Sequence, residues 1–399
     1  MNKRIANLHD VEAAARKKLP AMIYDYIAGA SHEEYTRDRN RAAFQDYYLR
    51  LRNFVDVSVI DTTLTMLGTP VAAPIFVSPM GLLGGFHPGA DIAAAQAARR
   101  NNLIFMHSAK AGIGIKEVAK ADPTFIWAQL SFMKDTALFW QHVQDAKNAG
   151  VRTIIVMGDV ALGSKRDRDY HHGLDSMPPK FSVRDTLNTA TRPGWVYRYL
   201  TGRPFTWGNY QPGGKPIKLK QMIDFEVENR ISSITWDDIS KLRERWGGNL
   251  VIKGTMTTDD AAEAVDRGVD GIFVSNHGGR QLDGQPATLD VLPGIVDTVA
   301  GRAEIYLDGG IRRGEDIVKA LALGATACGV ARPAAYGLAA AGEKGVDRVL
   351  RILQDELRTV MGLTGTTATR QIGPKHLTAA KDRRAAHSSS DISADLLGA

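Results

Sequence analysis

Eight short apolar runs, each ending in polar or glycine-rich residues, recur along this 399-residue chain and limit the folds open to it. They are PIFVSPM (74–80), LIFMHSA (103–109), FIWAQLS (125–131), TIIVMGD (153–159), NLVIKGT (249–255), GIFVSNHG (271–278), EIYLDGG (304–310) and ACGVARP (327–333). Continuous β-rich runs of this kind suit strands buried on both faces, as in parallel sheets. Helical patterns separate most of them, with DIAAAQAARRN, DTALFWQHVQDAKNAG, TDDAAEAVDRG and GEDIVKALALG the clearest. Several close on glycine or asparagine, as helix C-caps do. Eight strands alternating with helices predict an α/β fold, the (β/α)8 or TIM barrel. A doubly wound open sheet is the alternative, but no GxGxxG follows the first run and the count of eight favours the barrel.

One domain is expected over 1–375. Residues 1–73 form an N-terminal helical extension, with VEAAARKKLPAMIYDYIAGA broken near Pro20. Residues 160–235 form a long, lid-like loop after strand four, rich in Pro, Gly, aromatic and basic residues, and residues 376–399 form a flexible tail. The formal net charge of +6, from 50 basic and 44 acidic residues, suits an anionic substrate or cofactor. It is too weak and dispersed for nucleic acid. Cys328, the only cysteine, lies in ATACGVA and reads as a small core residue, so no disulfide framework or thiolate metal site is expected. No His or Cys cluster has metal spacing. The start of the chain has no secretory h-region, and no run of about 18 apolar residues occurs, so a cytoplasmic location is expected.

In such a barrel the chemistry sits at the C-terminal ends of the strands. Reading the run ends as one ring collects Ser78-Pro79-Met80-Gly81, Ser108, Gln129 with Ser131, Met157 with Asp159, and Lys253. It continues with Ser275-Asn276-His277 and Arg280, Asp308-Gly309-Gly310 with Arg312, and Ala331-Arg332. Loops after strands seven and eight are the usual phosphate position. There DGGIRRGEDIVKALALG offers two glycines for close approach, the free N–H groups of a helix start, and Arg312 with Arg313. Lys253 ends an apolar strand, where a lysine needs a partner. It is either ion-paired to a barrel carboxylate or fixed beside a cofactor that turns anionic on reduction. His277 is either a core histidine or a base; Asp159, ending strand four, is placed to reach across the rim and orient it. Arg280 and Arg166 suit a substrate carboxylate, although KRDRD around Arg166 also fits a solvated charge run.

SNHGGRQLDG, DGGIRRGEDIVKALALGA and LVIKG, with KKLPAMIYDYIAGA near the start, closely resemble the FMN-dependent α-hydroxy-acid oxidases and dehydrogenases over about residues 8–375. The resemblance implies FMN as cofactor and oxidation of an L-2-hydroxy acid to the 2-oxo acid. It implies His277 as base, Asp159 as its partner, Arg280 and Arg166 as the carboxylate pair, and Tyr26 as a further carboxylate ligand. It implies Lys253 beside flavin N1 and O2, Ser108 and Gln129 on the ring, and Pro79, Met80 and Gly81 along its N5 side. Ser275, Asp308, Gly310, Arg312, Ala331 and Arg332 complete the implied cofactor site. The implied electron acceptor is a quinone, a dye-like carrier or oxygen. Gly81 and the basic, aromatic 160–235 segment favour a dehydrogenase touching the inner face of a membrane. A homotetramer is also implied. The chain departs from the family pattern at Ser131 (usually tyrosine), Met157 (threonine), Lys110 (tryptophan) and Ala331 (glycine). These departures imply a substrate larger than glycolate. The alternative is an FMN-dependent oxidase or tailoring enzyme acting on a non-standard substrate such as a natural-product or peptide-derived intermediate.

Overall fold

Side chains alternate between two faces along each apolar run, and in the computed structural model that alternation closes the runs into a barrel. The structure describes residues 5–174 and 180–380. The barrel strands are β1 (Ile75–Val77), β2 (Ile104–His107), β3 (Ile126–Leu130), β4 (Thr153–Met157), β5 (Asn249–Thr255), β6 (Gly271–Val274), β7 (Glu304–Leu307) and β8 (Ala327–Val330). All neighbours are parallel, and β8 closes on β1 through the Cys328–Ile75 to Val330–Val77 register. Each expected run thus supplies one strand.

Two cores follow from the period of two. Phe76, Ile104, Met106, Trp127, Ile155, Val251, Phe273, Tyr306 and Ala327 fill the barrel interior. Outward residues such as Ile75, Val77, Ile154, Val156, Ile252, Ile272 and Val274 pack under the helices. One step of two further along each strand comes a ring of Ser78, Ser108, Gln129, Met157, Lys253, Ser275, Asp308 and Gly329. The polar rim is therefore the next layer of the same alternation that builds the apolar plug. A hairpin of Leu64–Met66 and Thr69–Val71 stops the opposite end, with Met66 and Val71 in the interior cluster. The Leu67 N–H donates to the Glu304 carboxylate at 3.0 Å there.

Ala90–Arg100, Thr136–Asn148, Thr258–Asp266 and Gly314–Ala322 are helices, as their patterns predict. Asp135 and Thr257 cap two of them by accepting the backbone N–H of Leu138 and Asp260. The N-terminal extension forms helices Leu8–Lys18 and Ala21–Ala28, separated at Pro20, and then Tyr35–Ala42.

The 160–235 segment departs from the loop expectation. It contains helices Asp167–His171, Val183–Ala190, Pro193–Thr201 and Met222–Asn229, with a hairpin of Thr206–Trp207 and Ile217–Lys218. Its aromatics cause this, because Trp207, Tyr210 and Phe225 pack edge-on and tilted against one another as part of the main hydrophobic core, and Trp195 is buried in that core as well. Residues 175–179 lie outside the described ones. At the far end, Leu377–Ala379 pairs antiparallel with Tyr47–Leu49 and His376 is buried, so the described start of the expected tail is strand. Residues 381–399 lie outside the described ones.

Candidate active site

A cavity of about 1070 Å3 opens at the polar rim. That is room for a cofactor and a substrate together. Lys253 is 3% exposed at the end of β5. Its Nζ donates to Ser275 Oγ at 2.7 Å and stands 3.8 Å from Asp308 Oδ2, while Ser275 Oγ donates to Asp308 Oδ1 at 2.7 Å. Lys253 is therefore paired to a barrel carboxylate, and it also faces the cavity. Ser275 is wholly buried behind Lys253 and, unlike Lys253 and Asp308, is not among the residues lining the cavity; its hydroxyl orients the lysine.

His277 comes from the turn beyond β6. Its backbone is left-handed at φ +58°, and Gly278 and Gly279 continue in that region at +65° and +76°. A non-glycine residue holds that conformation only where its surroundings demand it. A Cβ on Gly279 would stand 2.6 Å from Arg37 N, so the turn is pressed against helix Tyr35–Ala42. The turn aims His277 Nδ1 at Asp159 Oδ2, 3.1 Å away. Nε2 has no partner among the described residues, and the ring lines the cavity. Asp159 sits behind it, next to Gly254 at φ +100°, where a Cβ would stand 2.8 Å from the Asp159 Cβ. Burial raises the Asp159 carboxyl, but His277 and Lys253 outweigh it and hold the group below its ordinary value. Gln281 Nε2 donates to the Asp159 carbonyl at 2.6 Å and fixes that loop. Sequence reasoning passed over Gln281, although it is part of the GGRQLDG stretch.

Two pairs of arginines face the cavity. Arg280 donates through Nη1 to the carbonyls of Tyr26 (2.7 Å) and Gly29 (3.0 Å). Arg166 donates through Nε to Asp169 at 2.6 Å. The remaining N–H groups of both have no partner among the described residues. Their guanidinium carbons stand 4.9 and 5.9 Å from the centre of the Tyr26 ring, so the three groups form one cluster. Withdrawal from solvent and the Arg166 charge push Arg280 below its ordinary value. The second pair is Arg312 and Arg332. Arg332 donates to the carbonyls of Ile27, Gly29 and Gly278, each at 2.9 Å, and Arg312 donates to Ile311 O at 2.8 Å. Among the described residues Arg280, Arg312 and Arg332 have no carboxylate within ion-pair distance. Burial, then the neighbouring Arg280 charge, push Arg332 down to about 9, and burial lowers Arg312 as well.

The expected helix-start amides after β7 are not free. Asp316 Oδ2 accepts the N–H groups of Arg312 (2.8 Å) and Arg313 (2.9 Å), and Glu356 accepts the N–H of Gly314 at 3.0 Å. Arg313 turns away to pair with Glu356 at 2.7 Å. Asp316 of the helix's own first turn and Glu356 of the helix Glu343–Leu363 have taken the groups an anion would use. Gly309 and Gly310, at φ +100° and +93°, are required by packing as well: a Cβ on Gly310 would stand 2.1 Å from the Asn40 carbonyl oxygen. On the cavity side remain Asp308, Gly310, Arg312, Ala331 and Arg332.

Across the mouth, Pro79, Met80, Gly81, Ser108 and Gln129 line the cavity. Gln129 Oε1 accepts from Ser108 Oγ (3.2 Å) and Ala109 N (3.1 Å), and its Nε2 donates to Leu130 O (2.8 Å) and Ser131 Oγ (3.2 Å). Met157 also lines the cavity. Lys110, Trp207, Tyr210 and Glu226 join this wall, and sequence reasoning assigned no role to the last three. They come from the 160–235 segment, and no strand register announced where its side chains would land.

The residues present fit FMN. Arg312 and Arg332 are cations withdrawn from water without an acidic partner, which a bound phosphate corrects. Lys253 is a fixed cation on the cavity wall, and Gln129 and Ser108 present polar groups to the same cavity, as a flavin ring would require. Among the described residues no group of three or more His, Cys, Asp or Glu is placed to hold a metal.

Comparison with known proteins agrees. The family described as FMN-dependent dehydrogenase matches residues 15–379. The chain is 37% identical to an L-lactate dehydrogenase of Pectobacterium atrosepticum over 94% of this chain and 97% of that one. It is 38% identical to an L-lactate dehydrogenase of Vibrio cholerae over 91% of this chain and 96% of that one. Among solved structures, the monotopic membrane protein (S)-mandelate dehydrogenase superposes with a TM-score of 0.89 at 31% identity, covering 94% of this chain and 100% of that one. A mandelate oxidase gives 0.79 at 32% identity, covering 94% and 98%. With the barrel, the His–Asp pair and the two arginine pairs all in place, this chain belongs to the FMN-dependent dehydrogenase family.

Proposed function

We propose that this enzyme oxidises an L-2-hydroxy acid larger than glycolate to its 2-oxo acid, using FMN, and passes the electrons to a quinone or dye-like carrier rather than to oxygen. Arg312 and Arg332 hold the phosphate, with Asp308, Gly310 and Ala331 beside them. Lys253, Gln129, Ser108 and the Pro79–Gly81 backbone hold the ring. Bound there, FMN supplies the two-electron acceptor for the hydrogen on the α-carbon.

The protein's own part is binding and proton transfer. Arg280, Arg166 and Tyr26 bind the substrate carboxylate, the arginines through donors that no described residue uses. That anchoring fixes the α-carbon and leaves the hydroxyl beside His277. His277 Nε2 takes the hydroxyl proton, because Nδ1 is engaged by Asp159. The Asp159 carboxylate then stabilises the imidazolium; proton transfer by a positioned group contributes on the order of 10²–10⁴ in rate. The observation that carries the reading is this His277–Asp159 pair facing a cavity together with two guanidinium groups that have unused donors.

The 160–235 segment supports contact with a membrane surface. Val183, Leu187, Tyr197 and Leu200 are between 64% and 78% exposed on its two short helices, with Arg184 and Arg198 among them. Among the described residues no helix is long and apolar enough to cross a membrane. A relative of the same fold is described as a monotopic membrane protein. A homotetramer on the inner face of the membrane belongs to the same reading, and sedimentation velocity checks the assembly.

Anaerobic addition of a panel of 2-hydroxy acids to the yellow holoenzyme tests the chemistry. Bleaching followed by reoxidation that is fast with a quinone and slow with oxygen is expected. No bleaching by any acid overturns the reading, and fast reoxidation by oxygen overturns the choice of acceptor.

A further inference from the structure

Arg280 and Arg166 reach the cavity from distant parts of the chain, after β6 and after β4, and they carry the same charge. Both guanidinium groups stand beside the Tyr26 ring, and the Arg166 charge is one of the causes that lower Arg280. Like charges facing one cavity move apart unless the backbone beneath them is tied. An anion that needs both sets of forked donors binds well only where their spacing is set beforehand.

A pair of hydroxyls provides the tie. Ser164 stands two positions before Arg166, and its Oγ donates to the carbonyl of Arg280 itself at 2.5 Å. Ser164 Oγ is also 2.8 Å from Ser31 Oγ. A hydroxyl has one proton to give. Ser164 uses its own on Arg280, so Ser31 is the donor to Ser164, and the chain of bonds runs from Ser31 through Ser164 to Arg280. Ser31 is wholly buried, and its backbone N–H donates to the Gly279 carbonyl at 2.9 Å. The N–H of the next residue, His32, donates to the Lys165 carbonyl at 3.3 Å. The segment after helix Ala21–Ala28 is thus bonded to both arginine-bearing loops. The same stretch of chain holds the Arg280 guanidinium through the Tyr26 and Gly29 carbonyls. The Asp159 end of the loop that carries Arg166 is fixed separately, by Gln281.

We propose that Ser31 and Ser164 are positioning residues, whose hydroxyl pair fixes the spacing of Arg280 and Arg166 and so sets the affinity for the substrate carboxylate, with no part in proton transfer. The inference rests on the reading of these arginines as the carboxylate site of a 2-hydroxy-acid dehydrogenase. Ser164 lies 133 positions from Ser31 and 116 from Arg280, so its one hydroxyl joins three separate segments. Without that hydroxyl, the work of bringing two cations together falls on substrate binding. Proton transfer is left intact, because the bonds that hold Asp159 to His277 and to Gln281 are elsewhere on the loop.

Anaerobic rapid mixing of the holoenzyme with lactate and with 2-hydroxy-2-phenylacetate separates the apparent Kd for the acid from the limiting rate of flavin reduction. Ser164→Ala is expected to raise Kd about tenfold and to leave the limiting rate within about twofold of wild type. Ser31→Ala raises Kd in the same sense. Because Ser31 acts through Ser164, the double variant binds no more weakly than Ser164→Ala alone, whereas independent contributions would multiply. Ser164→Thr, which keeps the hydroxyl, is expected to keep Kd near the wild-type value. The flavin spectrum and FMN content show whether each variant is folded. Should Ser31→Ala fail to fold at its buried position, the split between Kd and limiting rate in Ser164→Ala decides. An unchanged Kd in Ser164→Ala, a loss that falls on the limiting rate, or a double variant in which the two effects multiply overturns the proposal. If no 2-hydroxy acid reduces the wild-type flavin, the parent reading fails instead.

Discussion

His277 carries a backbone conformation that few non-glycine residues hold, and three contacts show why it persists. Gly279 is pressed on Arg37, Asp159 engages Nδ1, and the His277 N–H donates to Ser275 Oγ at 3.2 Å. Strain at one residue is offset by packing elsewhere and leaves Nε2 without a partner among the described residues, on a ring that lines the cavity. Asp159→Asn removes the charge that stabilises the imidazolium while keeping the shape. It is expected to slow anaerobic flavin reduction by about 10²–10⁴ with FMN content retained, read by stopped-flow absorbance. The sign of its titration also follows. Because Asp159 is held below the ordinary carboxylate value of about 3.9, it stays charged through the neutral range. Activity lost through its protonation appears only in acid below that value. For Arg280→Lys the forked donor is lost but the charge stays. KM for the hydroxy acid is expected to rise about tenfold or more, since charge-assisted bonds contribute roughly 1.5–3 kcal/mol; steady-state kinetics reads it. An unchanged KM would remove Arg280 from the carboxylate site.

The 160–235 segment is a clamped element. His172 is held between two carboxylates, with Nδ1 at 2.7 Å from Asp185 and Nε2 at 2.9 Å from Asp25 of helix Ala21–Ala28. Burial lowers His172, but the two aspartates outweigh it and raise the ring above its ordinary value. A raised histidine stabilises the clamp below its unfolded value of about 6.5 and loses that contribution as pH rises through the higher folded value. Amide exchange in Val183–Ala190 is therefore expected to quicken as pH climbs through that window, beyond the intrinsic rate. His172→Gln should abolish the extra step, whereas its persistence would assign the step to another group. The outward face of the same helix makes the membrane prediction. Val183→Asp with Leu187→Asp is expected to reduce co-sedimentation with anionic phospholipid vesicles severalfold. Undiminished binding would move the contact elsewhere.

Across the whole molecule, the fold creates a charge problem that FMN bound as proposed would neutralise. Arg332 is pushed down to about 9 and Arg312 is also lowered, with no acidic partner for either among the described residues. A phosphate there stabilises the folded state by linkage, by about 4 kcal/mol at a thousandfold excess over Kd. Thermal unfolding of the apoprotein is expected to shift up by several degrees with FMN and by clearly less with riboflavin, which lacks the phosphate. Equal shifts would place the phosphate away from these arginines.

The strands, their order around the barrel and the polar rim were legible in the chain. A period of two forces Phe76, Trp127, Val251 and Tyr306 inward, and it places Ser78, Gln129, Lys253 and Asp308 one layer above them. The motif after β6 was legible too, since its glycines and His277 are contiguous. What the chain alone could not show depends on contacts between distant segments. Ser275 lies behind Lys253, Asp316 fills the helix start after β7, and Tyr210 joins Ser131 on the cavity wall from 79 positions further along. Local periodicity determines which face of a strand a residue takes. Only tertiary packing decides which of those residues has already been given a partner, and so which are left for a ligand.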